Sequence, residues 1–472
     1  MSTLRPDHPS DGSALAPPPG CPAHGHPALG APGIPRIHGP EAERNPAAFY
    51  ERLRQEHGAV APVLLHGDLP AWLVLGHREN LDVMRTPSLF SRDSRRWRMF
   101  QEGRVAPNSP LGPTLTWQPV CVFVDGDQHQ RLRGAVTDSL AKVDRRGVRR
   151  YVVRHTQQLV AAFAASGEAD LIPQYAEKLP MLVMTQLLGM PDRYGPHLVS
   201  ACLDLMKGSP TALASNQFLV DTLQEMVQQK HRTPGRDFAS WLIGHEAKLT
   251  DEEVLEHLRL VLVAANETTV NLIANTLRLV LTDRRFRASL AGGHMTLPDA
   301  LEQVLWDTPP LSVVPGRWAT GDTVLGGQQI KAGDMLLLGV AAGNVDPEIR
   351  PDISVPVLGN RSHLAFSSGP HECPGQDIGR AIADAGIDTL LSLLPGLELR
   401  VPEEQLTTST SWVSRRVETL PVRFQPRRPP AATTPVEQLR GRQLTVATTA
   451  AFAPTAARPA RRPWWKSLLP RR

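Results

Sequence analysis

The sequence predicts a mainly helical fold with small β-sheets, and three observations carry that reading. Residues Thr250–Leu281 run without proline from a Thr250-Asp251-Glu252-Glu253 capping pattern, which predicts one long helix. Its middle, Leu260–Ala265, is apolar on every side, as a helix crossing a core must be. After Val324 the texture changes to short apolar runs divided by turns, and alternating βαβ units are absent, which disfavours a doubly wound nucleotide enzyme.

The remaining elements follow in chain order. Pro46–His57 has helical spacing with its charges on one face, and Val60–Leu65 with Ala71–Leu75 reads as a strand pair turning at His66-Gly67-Asp68. His129–Leu140, Arg149–Ala165 and Pro180–Leu188 read as helices, the last with proline in its first turn. Gln329–Lys331, Met335–Val340 and Leu420–Phe424 read as short strands.

Composition bounds the function. Of 472 residues, 41% are hydrophobic and 21% charged, enough for a sizeable core and against a wholly disordered or fibrous chain. No run approaches the length of consecutive apolar residues that spans a bilayer, and no secretory signal is visible. Cys21, Cys121, Cys202 and Cys373 are too scattered for a disulfide framework, so a cytoplasmic setting is expected. Residues 426–472 hold ten Lys/Arg against Glu437 alone, so the first 425 residues carry a net −5 within a whole-chain +4. The basic character therefore belongs to a tail and gives no reason to expect nucleic-acid binding. Proline concentrates at both ends, with 10 in residues 1–40 and 8 in residues 426–472. The expected organisation is a Pro/Gly-rich flexible leader (1–40), a folded body (41–425) and a basic Pro/Arg/Ala-rich tail (426–472).

The most informative segment runs from Ala365 to Arg380. Pro374 suits the first position of a helix, which makes Cys373 the expected N-cap, with its thiol at the positive end of the helix dipole and its pKa lowered. Gly369 and Gly375 let backbone approach something flat, and His371 can donate to an acidic ligand group. A loop, a thiolate and space-clearing glycines describe an axial ligand for haem iron; a structural cysteine at a helix start is the plainer alternative.

At this point the sequence resembles the cytochrome P-450 family. Phe366, Gly369, His371, Cys373 and Gly375 fall on the family's haem-thiolate signature, with Ser367 where members usually carry glycine. Further segments resemble the family in the same chain order. Ala264-Ala265-Asn266-Glu267-Thr268-Thr269, in the long helix, is similar to the oxygen-binding groove, with Glu267 and Thr268 at the acid–alcohol positions and Ala265 for the usual glycine. Read alone, Thr268 would simply bond back to the Ala264 carbonyl and Glu267 would find a cation. His129 and Arg133, one turn apart, and Arg317, after the proline-rich turn Pro309–Pro315, resemble propionate-holding segments, with His371 a third contributor. The resemblance covers about residues 41–425.

It implies a cytochrome P-450 fold, with haem b (iron protoporphyrin IX) between the long central helix and the cysteine-loop helix. Cys373 would be the metal ligand; Glu267 and Thr268 would be catalytic; His129, Arg133, Ala264, Arg317, Phe366, Gly369, His371 and Gly375 would bind the cofactor. The implied activity is a monooxygenase placing one atom of O2 into a small apolar molecule, fed by a separate ferredoxin and NAD(P)H-dependent ferredoxin reductase. The chain departs from the family's Glu-x-x-Arg helix motif: Leu301-Glu302-Gln303-Val304-Leu305-Trp306 puts Gln303 and Trp306 at those places, with Leu358 for the partner arginine of the following meander and Asn360-Arg361 nearby. A similar Gln/Trp replacement occurs in a small group of actinomycete members. Removing all the partners together avoids stranding a buried charge, and Glu302, one position early, is expected to point elsewhere. This loss, together with the unusual extensions, motivates a rival expectation, a haem-binding regulatory or assembly partner with reduced catalysis. Trp464 and Trp465 among basic tail residues suggest peripheral contact with an anionic membrane face, and Cys21, His24 and His26 offer metal-ligand types in the leader.

Overall fold

The structure, a computed structural model, describes residues 33–427 except 107–108, 208–210, 284–285, 287–294, 358 and 410. The expected metal-ligand types in the leader, the tail tryptophans and Leu358 lie outside the described residues.

The long helix is present as Asp251–Thr282. Thr250 accepts from the Glu253 amide at 3.2 Å while the Glu253 carboxylate accepts from the Thr250 amide at 2.9 Å, closing the predicted capping box. By length and composition the helix could cross a membrane, but 61% of its most apolar window is buried inside the protein, where it forms the spine of the core. Helices Leu179–Leu187, Ala212–Arg232, Leu297–Asp307 and Gln376–Leu393 pack against it. Gln376–Leu393 in turn packs along Arg145–Ala161, and Gly386 makes the nearby crossing possible. A Cβ there would lie 2.7 Å from Leu179 and 3.0 Å from the Tyr175 hydroxyl, which donates to the Gly386 carbonyl at 2.8 Å.

The other expected helices are found with shifted ends. Pro46–His57 is as expected; the others are Gly126–Ala141, Arg145–Ala161 and Leu179–Leu187. The second shift has a clear cause: the Asp144 side chain accepts from the amides of Arg146 and Gly147 and starts that helix four residues early.

Among the described residues ten short strands form three sheets: β1 Val60–Leu65, β2 Leu69–Val74, β3 Phe90–Ser91, β4 Glu168–Asp170, β5 Val314–Ala319, β6 Thr323–Leu325, β7 Gln328–Ile330, β8 Met335–Leu338, β9 Glu398–Leu399 and β10 Pro421–Arg423. The largest has the order β1-β2-β8-β5-β3, with β2 and β8 its single parallel pair. Gly67 and Asp68 at φ 79° and 54° make the tight β1–β2 turn. The register of β5 against β8 shifts between Val314 and Arg317, and the Arg317 side chain is buried. The other sheets are β4-β10-β9 and the β6-β7 hairpin.

Ordered packing extends past the expected body at both ends. Ile37 is buried and its amide bonds Leu64 O, while Arg427 donates from its amide to Ala164 O.

Candidate functional site

The cysteine lies between two short turns, Leu364–Phe366 and Gly369–His371, and the helix Gln376–Leu393. The Cys373 amide donates to Phe366 O at 2.8 Å, folding the loop back on itself. Gly369 has φ 71°, and a Cβ there would sit 2.9 Å from Met84 O and 3.0 Å from Arg85 Cα, so no other residue fits. At Gly375 a Cβ would meet no protein atom, so packing within the chain does not require that glycine.

The expected N-cap is corrected. Pro374 and Gly375 make a turn before the helix begins, and Gly375 is its N-cap. Burial pushes the Cys373 thiol up, opposed by the Gly375 amide and the charges of Arg133 and Arg380. The fold alone therefore does not make a thiolate; a coordinated metal ion would, since it outweighs desolvation.

Beside the loop lies a buried cationic cluster. The rings of His129 and His371 are 4.2 Å apart. His371 Nε2 lies 3.1 Å from Asp125 Oδ1, and Asp125 also accepts from Ser91 Oγ at 2.6 Å and the Arg92 amide at 2.9 Å. Burial, with Arg317, Arg92 and His129 adding to it, holds the His371 pKa down at about 3 despite the Asp125 bond, so the imidazole is neutral and donates Nε2–H. Arg317 is 3% exposed and makes one long contact, 3.4 Å, to Gly316 O. Arg92 donates to the carbonyls of Val122, Pro315 and Gly316. Neither arginine has a carboxylate within ion-pair distance among the described residues. His129 Nε2 is buried with no partner. Arg133 donates to Thr137 Oγ1 at 3.0 Å and to Glu372 O.

Arg92 and Arg317 thus have Asp125 as their neighbouring carboxylate, with the half-buried Arg133 beside the loop, leaving an excess of positive charge and an orphaned imidazole nitrogen. Buried charge of this kind calls for anionic partners. A flat macrocycle with two carboxylates, set over a cysteine loop cleared by Gly375, matches that demand. The residues fit haem.

The long helix carries the remaining expected site residues. Val263 and Ala264 are exposed in mid-helix, while Leu262 and Asn266 are buried. Thr268 Oγ1 donates to Ala264 O at 2.7 Å. Glu267 keeps one carboxylate oxygen unpartnered and buried. Burial raises its pKa above the ordinary carboxylate range, against the pull of Arg416 and a hydrogen bond from Asn271, with Glu177 pushing the same way as burial. The expected cation is thus already engaged: Arg416 pairs with Glu177 at 2.9 Å.

The helix Leu297–Asp307 corrects a further expectation. Glu302 does point away from Gln303, but into the protein. Its carboxylate takes the Arg380 fork at 2.7 and 3.2 Å and His363 Nε2 at 3.0 Å, with Arg361 Nε at 3.6 Å. Burial raises its pKa, but the bonds from His363 and Arg380 and their charges outweigh it and bring the carboxyl down to about 2. Gln303 instead accepts from the Val357 amide at 3.1 Å and donates to Asp307 at 2.6 Å. Trp306 is fully buried and donates Nε1–H to Asn360 O at 2.8 Å.

No family model matches the chain. Curated relatives do. Nocardicin C N-oxygenase of Nocardia uniformis subsp. tsuyamanensis is 30% identical over 389 residues, covering 79% of this chain and 94% of that protein. Cytochrome P-450 107B1 of Saccharopolyspora erythraea is 29% identical over 391 residues, covering 79% and 94%. The crystal structure of the myxobacterial cytochrome P-450 CYP267B1 with myristic acid superposes with TM-score 0.72 at 26% identity, covering 82% of this chain and 98% of that one. The chain belongs to the cytochrome P-450 family. Its cofactor is haem, and the named hydroxylases and oxygenases among its relatives make this P-450 a haem monooxygenase. The family accounts for the need of dioxygen, a redox partner and a small organic substrate.

Of the expected residues, Cys373, His371, His129, Arg133, Arg317, Phe366, Gly369 and Gly375 lie in the loop or the cationic cluster beside it, while Ala264, Glu267 and Thr268 lie on the long helix, where Thr268 bonds Ala264. Sequence reasoning missed Arg92, Ser91, Asp125, His363 and Arg380. Asp125 had a readable signal, lying four residues before His129 at a helix start. Arg92 had none, since nothing local distinguishes it from its neighbours Arg95 and Arg96.

Proposed function

We propose that this P-450 inserts one atom of dioxygen into an apolar small molecule; the Cys373 sulfur would hold the haem iron, and Glu267 with Thr268 would deliver protons. The observation that carries the reading is the glycine-cleared cysteine loop beside Arg317 and the unpartnered His129 Nε2, a cationic lining that asks for an anionic ligand. Haem, when bound, supplies the dioxygen-activating and one-electron chemistry that no side chain offers.

The chain's own residues would do the rest. Arg92, Arg317, Arg133 and His129 would bind and orient the propionates; the expected contribution of His371 is corrected, because its one proton, on Nε2, is already donated to Asp125 and Nδ1 has none to offer a carboxylate. The Glu267 carboxyl, with its raised pKa, can carry a proton near neutral pH more readily than an exposed acid. Thr268 Oγ, one residue on, can leave the Ala264 carbonyl by a single χ1 rotation and present its hydroxyl at the cavity face. Val263 and Ala264 offer apolar surface, which supports an apolar substrate. In the overall balance one oxygen atom enters the product and the other leaves as water, taking up two electrons and two protons.

The electrons would come from a separate ferredoxin and its NAD(P)H-dependent reductase. The body expected at 41–425 would be the haem domain, with residues 1–40 and 426–472 as extensions. The three described cysteines are unpaired, in keeping with a reducing cytoplasm. A peripheral membrane role for the basic tail would show as liposome co-sedimentation lost on truncation after Gln425. The regulatory alternative rested on the missing ion-pair network and on the unusual extensions; the first motive weakens because Glu302 builds another network, and the relatives, named oxygenases, do not support the alternative.

Turnover tests the reading. Purified holoenzyme supplied with ferredoxin, reductase and NADPH is challenged with a panel of apolar compounds. Substrate-dependent NADPH use with oxygenated product is expected; normal haem incorporation with no product across the panel would contradict it.

A further inference from the structure

We propose that Glu302 is the positioning residue of the thiolate loop in this P-450, acting through Arg380 and His363. The inference rests on reading Cys373 as the axial ligand, and it assigns to an otherwise unremarked acid the task of holding that ligand in place.

Two lines of contact run from its carboxylate to the loop. One passes through Arg380, in the helix that follows the cysteine. Its Nε and Nη2 grip Glu302 as a fork, and the guanidinium lies 4.4 Å over the ring of Phe366. Phe366 O accepts the Cys373 amide at 2.8 Å, so the stack bears on the cysteine backbone. The other line passes through His363. Its Nδ1 accepts the Ala365 amide at 3.2 Å, which leaves the proton on Nε2, and Nε2–H donates to Glu302 at 3.0 Å. That tautomer makes the 3.4 Å approach of Arg380 Nη2 to His363 Nε2 a close contact of two donors, which only the shared carboxylate reconciles.

The three side chains are well shielded from solvent, with side-chain exposures of 5% for Glu302, 1% for His363 and 13% for Arg380. A buried charge held this way fixes its partners more firmly than a surface pair. Trp306, one turn further on the same helix face, fixes residue 360 of the same segment. Gln303 instead bonds the Val357 amide and Asp307, and Val357 lies further from the cysteine in sequence than His363 or Arg380. Glu302 thus acts through its partners His363 and Arg380.

The test uses haem-loaded Glu302→Gln, Glu302→Asp, Arg380→Lys and Gln303→Ala beside the unsubstituted protein. Two quantities are read: the rate at which the reduced carbon monoxide complex loses its thiolate-type band, and the haem reduction potential. Absence of that band in the unsubstituted protein would defeat the axial-ligand reading itself, before any variant is compared. Given the band, Glu302→Gln and Arg380→Lys should lose it about tenfold faster, the effect of one charged hydrogen bond in a buried network. Glu302→Asp should recover part of the difference. The potential of Glu302→Gln should rise, because the Arg380 charge near the sulfur is no longer neutralised. Gln303→Ala should match the unsubstituted protein. If Glu302→Gln fails to load haem, Arg380→Lys, which keeps the charge balance, carries the comparison. Unchanged rates and potential in these variants, or destabilisation by Gln303→Ala instead, would overturn the proposal.

Discussion

Asp125 accepts from His371 Nε2 at 3.1 Å, which joins the start of the helix Gly126–Ala141 to the turn just before the cysteine. The same carboxylate takes the Ser91 hydroxyl and the Arg92 amide and is the negative group nearest two buried arginines. Asp125→Ala should therefore cost about 2–3 kcal/mol of stability, as expected for losing hydrogen bonds to a buried charge. The haem-to-protein ratio after purification should fall with it, because His371 loses the bond that orients it. Thermal denaturation and haem quantitation check both, and a variant with full haem content and an unchanged melting temperature would contradict the assignment.

Ser367 occupies a backbone conformation suited to glycine, at φ 62° and ψ −168°, and its buried hydroxyl has no partner. Such a conformation costs on the order of 1–3 kcal/mol for a residue with a Cβ, partly offset by the greater freedom glycine gains in the unfolded chain. Ser367→Gly should raise the stability by about 1 kcal/mol. A melting temperature that drops in this variant would show that the serine makes a compensating contact.

Glu267 and Thr268 should be separable from haem binding. Glu267→Gln and Thr268→Ala leave the cysteine loop and the arginine cluster untouched, so their carbon monoxide spectra should match the unsubstituted protein. Product formation should fall by about a hundredfold, the scale of losing a positioned proton donor, while reductant is still consumed. Equal coupling of reductant to product in all three proteins would remove the pair from the reaction.

The Glu302 network makes stability depend on acid pH. The bonds from His363 and Arg380 hold the carboxyl at about 2 in the folded protein against an ordinary 4.5. A depressed acid contributes stability that is complete above its unfolded pKa and is lost as pH falls through its folded one. The stability gap between the unsubstituted protein and Glu302→Gln should thus be largest near neutrality and close between about pH 4.5 and about pH 2. Glu267 titrates in the opposite sense, so the difference between the two proteins, not either curve alone, isolates Glu302. Urea unfolding across that range checks it; a gap independent of pH would mean Glu302 is not held charged.

Much of this was legible in the sequence because the signals are local. A capping box and a proline-free apolar run announced Asp251–Thr282. The spacing around Cys373 announced the loop, and His129 with Arg133 announced the facing helix. What stayed hidden depends on distant partners. Glu302 meets His363 and Arg380 at separations of 61 and 78 residues, and its inward direction is set by the roll of its helix, which composition does not reveal. The cysteine was misread as an N-cap because Pro374 suits both a first helical turn and the preceding bend. Arg92 has no local signature; only the short β3–β5 pairing brings it beside Arg317.

The most direct measurement is the carbon monoxide difference spectrum of the reduced, haem-loaded protein, taken beside Cys373→Ala. Sulfur from Cys373 on the iron predicts the strongly red-shifted band of thiolate ligation in the unsubstituted protein and its loss in the variant. A missing band, or the same band in both proteins, would contradict the account.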